Sequence, residues 1–425
     1  MTNTGPQDEL PVLVIGAGVC GLAIAHGLQR ANIPVIVFDR YPSIEARFSA
    51  RDWAVGCQWS GPMLAKLVGE ERWSRIHEVG VDPNLTVDEI RNFPMVKVLH
   101  GVTGEPLAEM RTDGEPFFRF LYSRLVTLLA EGIDVRYSKT LDRFSCYPKT
   151  EGSQAQESVT ACFRDGTEYR GRLLIGADGS NSGVRSQLFQ HEPKLADLKR
   201  LPYAATFISS SFTAAQARHL RAAQHHPLAC AIPHPKGHMM MFCVLDAMQA
   251  EHPETWKFSF YLGTQCSIEE QDKNTTLSER LEEAKQIIQD SEIGDPIKSA
   301  FEWLEDHVDS IYYTKVANWD PSLPEHKWDN HNGLVTLAGD ACHPMTYHRG
   351  QGLNHAVADA AKIVEILTRQ GTQSQEERIQ EYEAEMIERG GKEVRLSELN
   401  TRMLHDWEQL MNSPLVTQGL QVSAK

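Results

Sequence analysis

Residues 12–39 read VLVIGAGVCGLAIAHGLQRANIPVIVFD, and this stretch decides the fold. VLVI (12–15) is a short apolar run between a proline and a glycine, the pattern of a buried strand. Residues 19–30 follow with helical character, and PVIVF (34–38) is a second buried strand, so the stretch is one parallel βαβ unit. Gly16-Ala17-Gly18-Val19-Cys20-Gly21 stands at the junction of strand and helix. Gly16 permits the tight turn, Gly18 lets the backbone approach a pyrophosphate, and Gly21 lets helix and strand pack closely. The free N–H groups at the start of the helix face the phosphate charge. Asp39 ends the second strand 18 residues after Gly21, where an acid hydrogen-bonds ribose hydroxyls. The frame predicts a dinucleotide-binding domain; by itself it does not separate FAD from NAD.

Outward from this unit the texture alternates. Segment 39–60 is irregular and rich in Arg, Ser and Trp. Leu121–Ala130 has helical leucine spacing, IDVRY (133–137) reads as a strand, and 159–176 as two or three strands ending in RLLIGADG. Residues 148–158 are loop-like. From about 200, TFISSSF, HMMMFCVLDA and WKFSFYLG are β-rich, although their apolar and polar residues alternate poorly. Helices are expected near 277–290 and 296–307. LVTLAGD (334–340) returns as a strand of the first texture, and a long helix starts near Gly352. Residues 375–411 read as charged helix with Ile379, Tyr382, Met386, Leu399, Met403, Trp407 and Leu410 on the apolar face. The expected division is a dinucleotide domain in two parts, 1–190 and 321–370, a β-rich substrate domain at 191–320, and a C-terminal helical segment at 371–425.

The bulk numbers agree with an ordinary globular protein. The chain has 425 residues, 41% hydrophobic and 23% charged, long enough for a large core. Its net charge of −15 gives no electrostatic footprint for nucleic acid or an anionic membrane. The eight cysteines (20, 57, 146, 162, 230, 243, 266, 342) are scattered without CxxC spacing, so no metal site is expected and free thiols are. The start, MTNTGPQDELP, has no apolar signal-peptide core, and no run of about 18 apolar residues occurs. A cytoplasmic enzyme is the expectation; the oligomeric state stays open.

Two later stretches narrow the cofactor: IGADGSNSGVR (175–185) and GDACHPMTYHRGQGLN (339–354). With the glycine motif, in this order and spacing, the chain resembles the single-component FAD-dependent monooxygenases of the aromatic-hydroxylase type, including those of fungal secondary metabolism. The resemblance covers nearly the whole chain. It implies an α/β, Rossmann-type FAD-binding domain with an inserted β-sheet substrate domain and a C-terminal helical segment. It implies FAD held by Gly16, Gly18, Gly21, Asp39, Arg40 and an arginine after the second strand, Arg47 or Arg51, each of which reads otherwise as a solvated surface residue. Asp178-Gly179 would lie near the FAD and take part in handling the nicotinamide cofactor, and Asp340 would bond the ribityl chain. Gly350, Gln351, Gly352, Leu353 and Asn354 would run under the isoalloxazine. A helix start there stabilises the negative charge of reduced flavin, and the two glycines let the backbone lie close. His343 is implied to be structural. His225, His226, His234 and His238 read as surface histidines, with contact to substrate as the alternative.

The chain departs from that family at two places. Tyr347 stands where the family usually has proline, beside the flavin edge; it adds a hydroxyl and removes the fixed φ. Tyr122 stands where an arginine is usual, and Arg119 is the expected substitute phosphate contact. No second GxGxxG occurs, so NADPH or NADH would visit the flavin as a transient reductant without a domain of its own. The implied chemistry is oxygenation of an aromatic or polyketide-like small molecule with O2, with Tyr347 as the candidate catalytic side chain. An oxidase or cyclase that retains FAD, and a flavin-bound protein without turnover, are the alternatives that Tyr347 leaves open.

Overall fold

The computed structural model describes residues 10–112, 115–147, 157–224, 229–304, 308–417 and 421–422. A five-stranded parallel sheet has the spatial order Val135–Arg136, Val35–Phe38, Val12–Ile15, Leu173–Gly176, Val335–Leu337. In chain order this is 3-2-1-4-5, the doubly wound Rossmann arrangement. VLVI and LLIG are buried at every position because helices cover one face and a three-stranded sheet, Leu141–Tyr147, Ser158–Phe163 and Glu168–Gly171, packs on the other, with Phe38 against Phe163 and Tyr169. Val19–Arg30 and Gly352–Thr368 pack against each other on this sheet. The strand order reverses between Val12–Ile15 and Leu173–Gly176, and the carboxyl ends of those two strands, Gly16 and Ala177, form the crevice where such sheets bind ligands.

An eight-stranded sheet forms the second layer: Ser310–Asn318, Lys199–Ser211, Lys257–Gln265, Met239–Asp246, Cys230–Pro233, Val96–Leu99, Pro106–Thr112 and Gln421–Val422. Three of these strands, Val96–Leu99, Pro106–Thr112 and Gln421–Val422, come from outside residues 191–320. One face packs Ile208, Met240, Phe242, Val244, Phe258, Phe260 and Leu262 against Ala217, Leu281, Ala284, Ile297 and Phe301 of three helices. The opposite face carries Phe207, Met239, Met241, Cys243 and Tyr261. Both faces are therefore apolar, which is why HMMMFCVLDA does not alternate visibly.

Most expected elements form near their expected places: Tyr122–Ala130, Val135–Arg136, Leu277–Asp290 and the start of the helix at Gly352. The helix expected at 296–307 covers Ile297–Glu302 within the described residues. Segment 39–60, read as irregular, holds a short helix, Ile44–Phe48, and a strand, Ala54–Cys57, that pairs with Phe118–Leu121. The C-terminal helix Gln375–Leu404 has Ile379, Tyr382 and Met386 fully buried. Its second half corrects the expectation. Leu399 is 60% exposed, while Glu393, Ser397 and Thr401 face inward. Glu393 and Thr401 are buried because they hydrogen-bond the loop that the helix supports, and Ser397 donates to Glu393 on the same helix.

Candidate active site

The glycine turn is built for close approach. Gly16 has φ +113°, and a Cβ there would lie 2.2 Å from the carbonyl oxygen of Ala177; a Cβ on Gly21 would lie 2.1 Å from the Gly16 carbonyl oxygen. Asp39 is 6% exposed. It accepts from the Ala17 N–H at 2.9 Å and the Tyr41 N–H at 2.9 Å, which fixes the acid at the crevice mouth. Arg47 donates to the Ala17 carbonyl at 3.1 Å and lies 3.6 Å from Asp39. Arg40 lines the same cavity with its guanidinium 5.5 Å from the Tyr41 ring. Tyr122 reaches over Gly18, its hydroxyl beside the Val19 N–H at the start of the first helix. It stacks on Trp53 at 4.7 Å, and Arg51 lies between Trp53 at 5.0 Å and Tyr312 at 3.5 Å. Arg119 takes a different place from the one expected. It stands on the strand Phe118–Leu121 and points its guanidinium to Cys243 Sγ at 2.9 Å, on the large sheet; Tyr122 and Arg47 are the side chains beside Gly18.

The second and third motifs meet the first. Gly179 has φ +84° with open space on its Cβ side, and Asp178 accepts from Ser182 Oγ at 2.5 Å and the Gly183 N–H at 2.7 Å. Asp178 thus shapes the turn into Gly183–Leu188. Arg185, fully buried, donates to the carbonyls of Ser180 at 2.5 Å and Ala341 at 2.8 Å, tying this turn to the one that carries Asp340. Asp340 opens on the cavity, yet the surrounding protein displaces enough water to push its carboxyl pKa up, against the pull of His343.

Gly350 (φ +63°) ends a short turn, Tyr347–Arg349, and the helix Gly352–Thr368 begins two residues later. Asn354 holds this start in place: its Oδ1 accepts from the Gln58 N–H at 2.9 Å and Ser60 Oγ at 3.0 Å, and its Nδ2 donates to the Gly350 and Gly56 carbonyls at 3.2 Å. Gln351 accepts from Trp59 Nε1 at 2.9 Å and donates to Gln58 Oε1; Leu353 is buried against the core. Arg349 pairs with Glu393 of the C-terminal helix at 2.7 Å.

Tyr347 faces the cavity between Phe207 and Tyr261. Its hydroxyl donates to Tyr261 at 3.4 Å; Tyr261 is bonded to His348 Nε2 at 2.8 Å, and His348 Nδ1 to Thr401 Oγ1 at 2.8 Å. Burial, with His405 nearby, pushes His348 down to about 3, so the ring is neutral and can donate at one nitrogen while accepting at the other. Burial raises the phenols of Tyr347 and Tyr261, which stay protonated. His343 has a partner that its sequence neighbours did not suggest: Nε2 lies 2.7 Å from Asp359, and both side chains are fully buried. His234 is buried at 2% exposure, contrary to a surface reading, and its Nδ1 accepts from the Lys236 N–H at 3.1 Å. His238 is half-buried, and His225 and His226 lie outside the described residues. Tyr261, His348, Asp359 and Arg185 were not singled out from sequence. Asp359 alone had a signal, a lone acid inside an otherwise apolar helical run.

The walls enclose about 1640 Å³. That exceeds the roughly 300–1000 Å³ of a single-ligand pocket, and so leaves room for a dinucleotide and a second molecule. The glycine cradle, the acid at the second strand end and the open face at Gly179 fit FAD. Among the described residues no group of three or more potential metal ligands occurs, and no helix is long and apolar enough to cross a membrane.

Comparison with known proteins agrees with this construction. A family model described as FAD binding domain matches residues 138–397. The chain is 31% identical to the FAD-dependent monooxygenase phnB of Penicillium herquei, over 98% of this chain and 96% of that protein. It is also 31% identical to the FAD-dependent monooxygenase cctM of Talaromyces islandicus, over 97% and 98%. In fold it is similar to Klebsiella pneumoniae HpxO complexed with FAD and uric acid, with a TM-score of 0.72 at 18% identity over 96% of this chain and 92% of that one. The glycine cradle, the two later motifs on one cavity and the full-length similarity lead to one assignment: the chain belongs to the FAD-dependent monooxygenases.

Proposed function

We propose that the protein uses NADPH or NADH and O2 to oxygenate an aromatic or polyketide-like small molecule, in secondary metabolism and in the cytoplasm. When bound, FAD supplies electron transfer from the nicotinamide to oxygen and the insertion of one oxygen atom into the substrate. The Gly16–Val19 backbone and Arg47 hold the pyrophosphate, Asp39 the ribose hydroxyls, Asp340 the ribityl chain and Gly350–Asn354 the ring. Substrate lies against Phe207, Met239, Met241 and Tyr261, a wall of aromatic and pliable methionine surface suited to a flat, apolar body. The observation that carries the reading is Tyr347. Its hydroxyl is a polar group set into this wall and is backed by Tyr261, His348 and Thr401. Tyr347 exchanges a hydrogen bond with the substrate oxygen and orients it toward the cofactor, while the buried walls exclude water.

The test is turnover with candidate polyketide phenols under isotopically heavy O2. One heavy oxygen atom per product, with NAD(P)H consumed in step, is the expected result. Product formed without oxygen or NAD(P)H replaces this reading with a non-oxygenating flavoenzyme.

A further inference from the structure

Asp359 is a fully buried acid that no step above uses. We propose that Asp359 is the positioning residue of the cofactor floor, clamping the turn that carries Asp340 to the helix that begins under the flavin ring. This rests on the reading that Asp340 and Gly350–Asn354 hold the FAD.

Asp359 lies inside the helix Gly352–Thr368, in the stretch Leu353–Ala360 that is buried all round, and is 0% exposed. Its carboxylate takes donors from two other parts of the chain. Oδ2 accepts from the Gly339 N–H at 2.6 Å and from His343 Nε2 at 2.7 Å; Oδ1 accepts from Arg389 Nη2 of the C-terminal helix at 2.7 Å. Burial alone would raise its pKa, but His343 and Arg389 together hold it at about 2. The group is ionised.

An ionised acid at such depth costs several kcal/mol of desolvation, and apolar residues of similar volume would join helix to turn at least as stably. What the carboxylate adds is direction. Its two Oδ2 partners, Gly339 and His343, flank Asp340 in sequence. A Cβ on Gly352 would lie 3.8 Å from Asp340 Oδ1, so the aimed acid stands at the helix start. The other surfaces are tight. Gly339, at φ +60°, would place a Cβ 3.2 Å from Cys20, and a Cβ on Gly390 would come 2.8 Å from the His343 ring. The turn cannot shift without losing a bond to Asp359 or meeting a wall.

The experiment measures FAD dissociation constants by flavin fluorescence for Asp340→Ala, Asp359→Asn and the double variant, with circular dichroism of each FAD-free protein. Asp359→Asn is expected to weaken FAD about ten-fold, the scale of one charge-assisted hydrogen bond. In the Asp340→Ala background the same change should do much less, because the residue it aims is gone. Glu385→Gln, which removes the outer partner of Arg389, should leave FAD affinity unchanged. If Asp359→Asn fails to fold, the clamp is opened from its other side. His343→Gln keeps a donor and should retain FAD, while His343→Leu should lose about ten-fold. An unchanged FAD affinity in Asp340→Ala sinks the cofactor reading itself. Losses that multiply in the double variant, or equal affinities for the His343 pair, overturn the role of Asp359 and leave that reading standing.

Discussion

The two walls of the cavity recognise in different ways. On the proposed cofactor side the surface is mainly backbone: the turn at Gly16–Gly21, the start of the first helix at Val19 and the helix start at Gly350–Asn354. Side chains there mainly hold backbone in place, as Asn354 does with four hydrogen bonds to two segments, 56–60 and Gly350. On the opposite side the large sheet offers only what its side chains carry, Phe207, Met239, Met241, Tyr261, and Tyr347 from the facing loop. The first wall cannot change without changing the fold. The second can be re-specified by single substitutions that leave the ladder of the sheet intact, which suits a scaffold that keeps one cofactor and varies its substrate.

This contrast can be broken. Gly16→Ala is the most severe test, since the new Cβ would meet the Ala177 carbonyl at a φ that L-residues avoid. Strain of about 3 kcal/mol corresponds to roughly a hundred-fold weaker FAD binding, read as flavin lost on gel filtration. A yellow Gly16→Ala protein would end the claim that backbone makes the cradle.

On the opposite wall, Tyr347→Phe should keep FAD bound and slow turnover by about ten-fold, the scale of one positioned donor. Rapid-reaction kinetics with substrate check it; wild-type turnover would reduce Tyr347 to packing. Arg47 and Arg119 then separate the walls. Arg47→Ala should weaken FAD by about ten-fold, while Arg119→Ala leaves FAD affinity within about two-fold and raises the KM for substrate. The reverse pattern in titrations would move Arg119 to the phosphates.

A smaller effect comes from two buried neutral histidines behind the walls, His355 in the helix Gly352–Thr368 and His405 against Tyr203 of the large sheet. Burial depresses His355 to about 3 and His405 to about 4, so the unfolded chain takes up protons near pH 6.5 that the folded chain refuses. Their stabilising contribution is complete above pH 6.5 and is lost as pH falls toward 4 and then 3. The thermal midpoint of the FAD-free protein should therefore drop between pH 7 and 5, and less steeply in His405→Gln. A midpoint that rises on acidification contradicts the burial argument. Least affected of all should be Leu399→Gln on the exposed face of the last long helix, within about 0.5 kcal/mol in denaturant titration.

What could be read from sequence follows the same contrast. The glycine turn, Asp39 and the later motifs are contiguous, and their backbone geometry is dictated by residue type, so 12–39 and 339–354 were legible. The substrate wall was not. Tyr261 joins Tyr347 across 86 positions and Thr401 joins His348 across 53, with no local pattern to announce either pair. The expected apolar face of 375–411 failed at Leu399 for a related reason: once a helix supports a polar loop, Glu393, Ser397 and Thr401 are its inward residues. Arg119 was placed differently because a strand sends neighbouring side chains to opposite faces, and it faces Cys243 on the large sheet while Tyr122 and Arg47 stand beside Gly18.

The parallel sheet pairs Leu174–Gly176 with Val335–Leu337, about 160 residues downstream. While the chain emerges from the ribosome, the edge of Leu173–Gly176 therefore waits, unpaired, through the synthesis of five strands of the large sheet. Such long-range parallel closure is slow and exposes apolar strand edges meanwhile. Soluble yield should accordingly depend on chaperone supply and growth temperature more than on the strength of the promoter, and FAD added during expression should help only after residue 354 has left the tunnel.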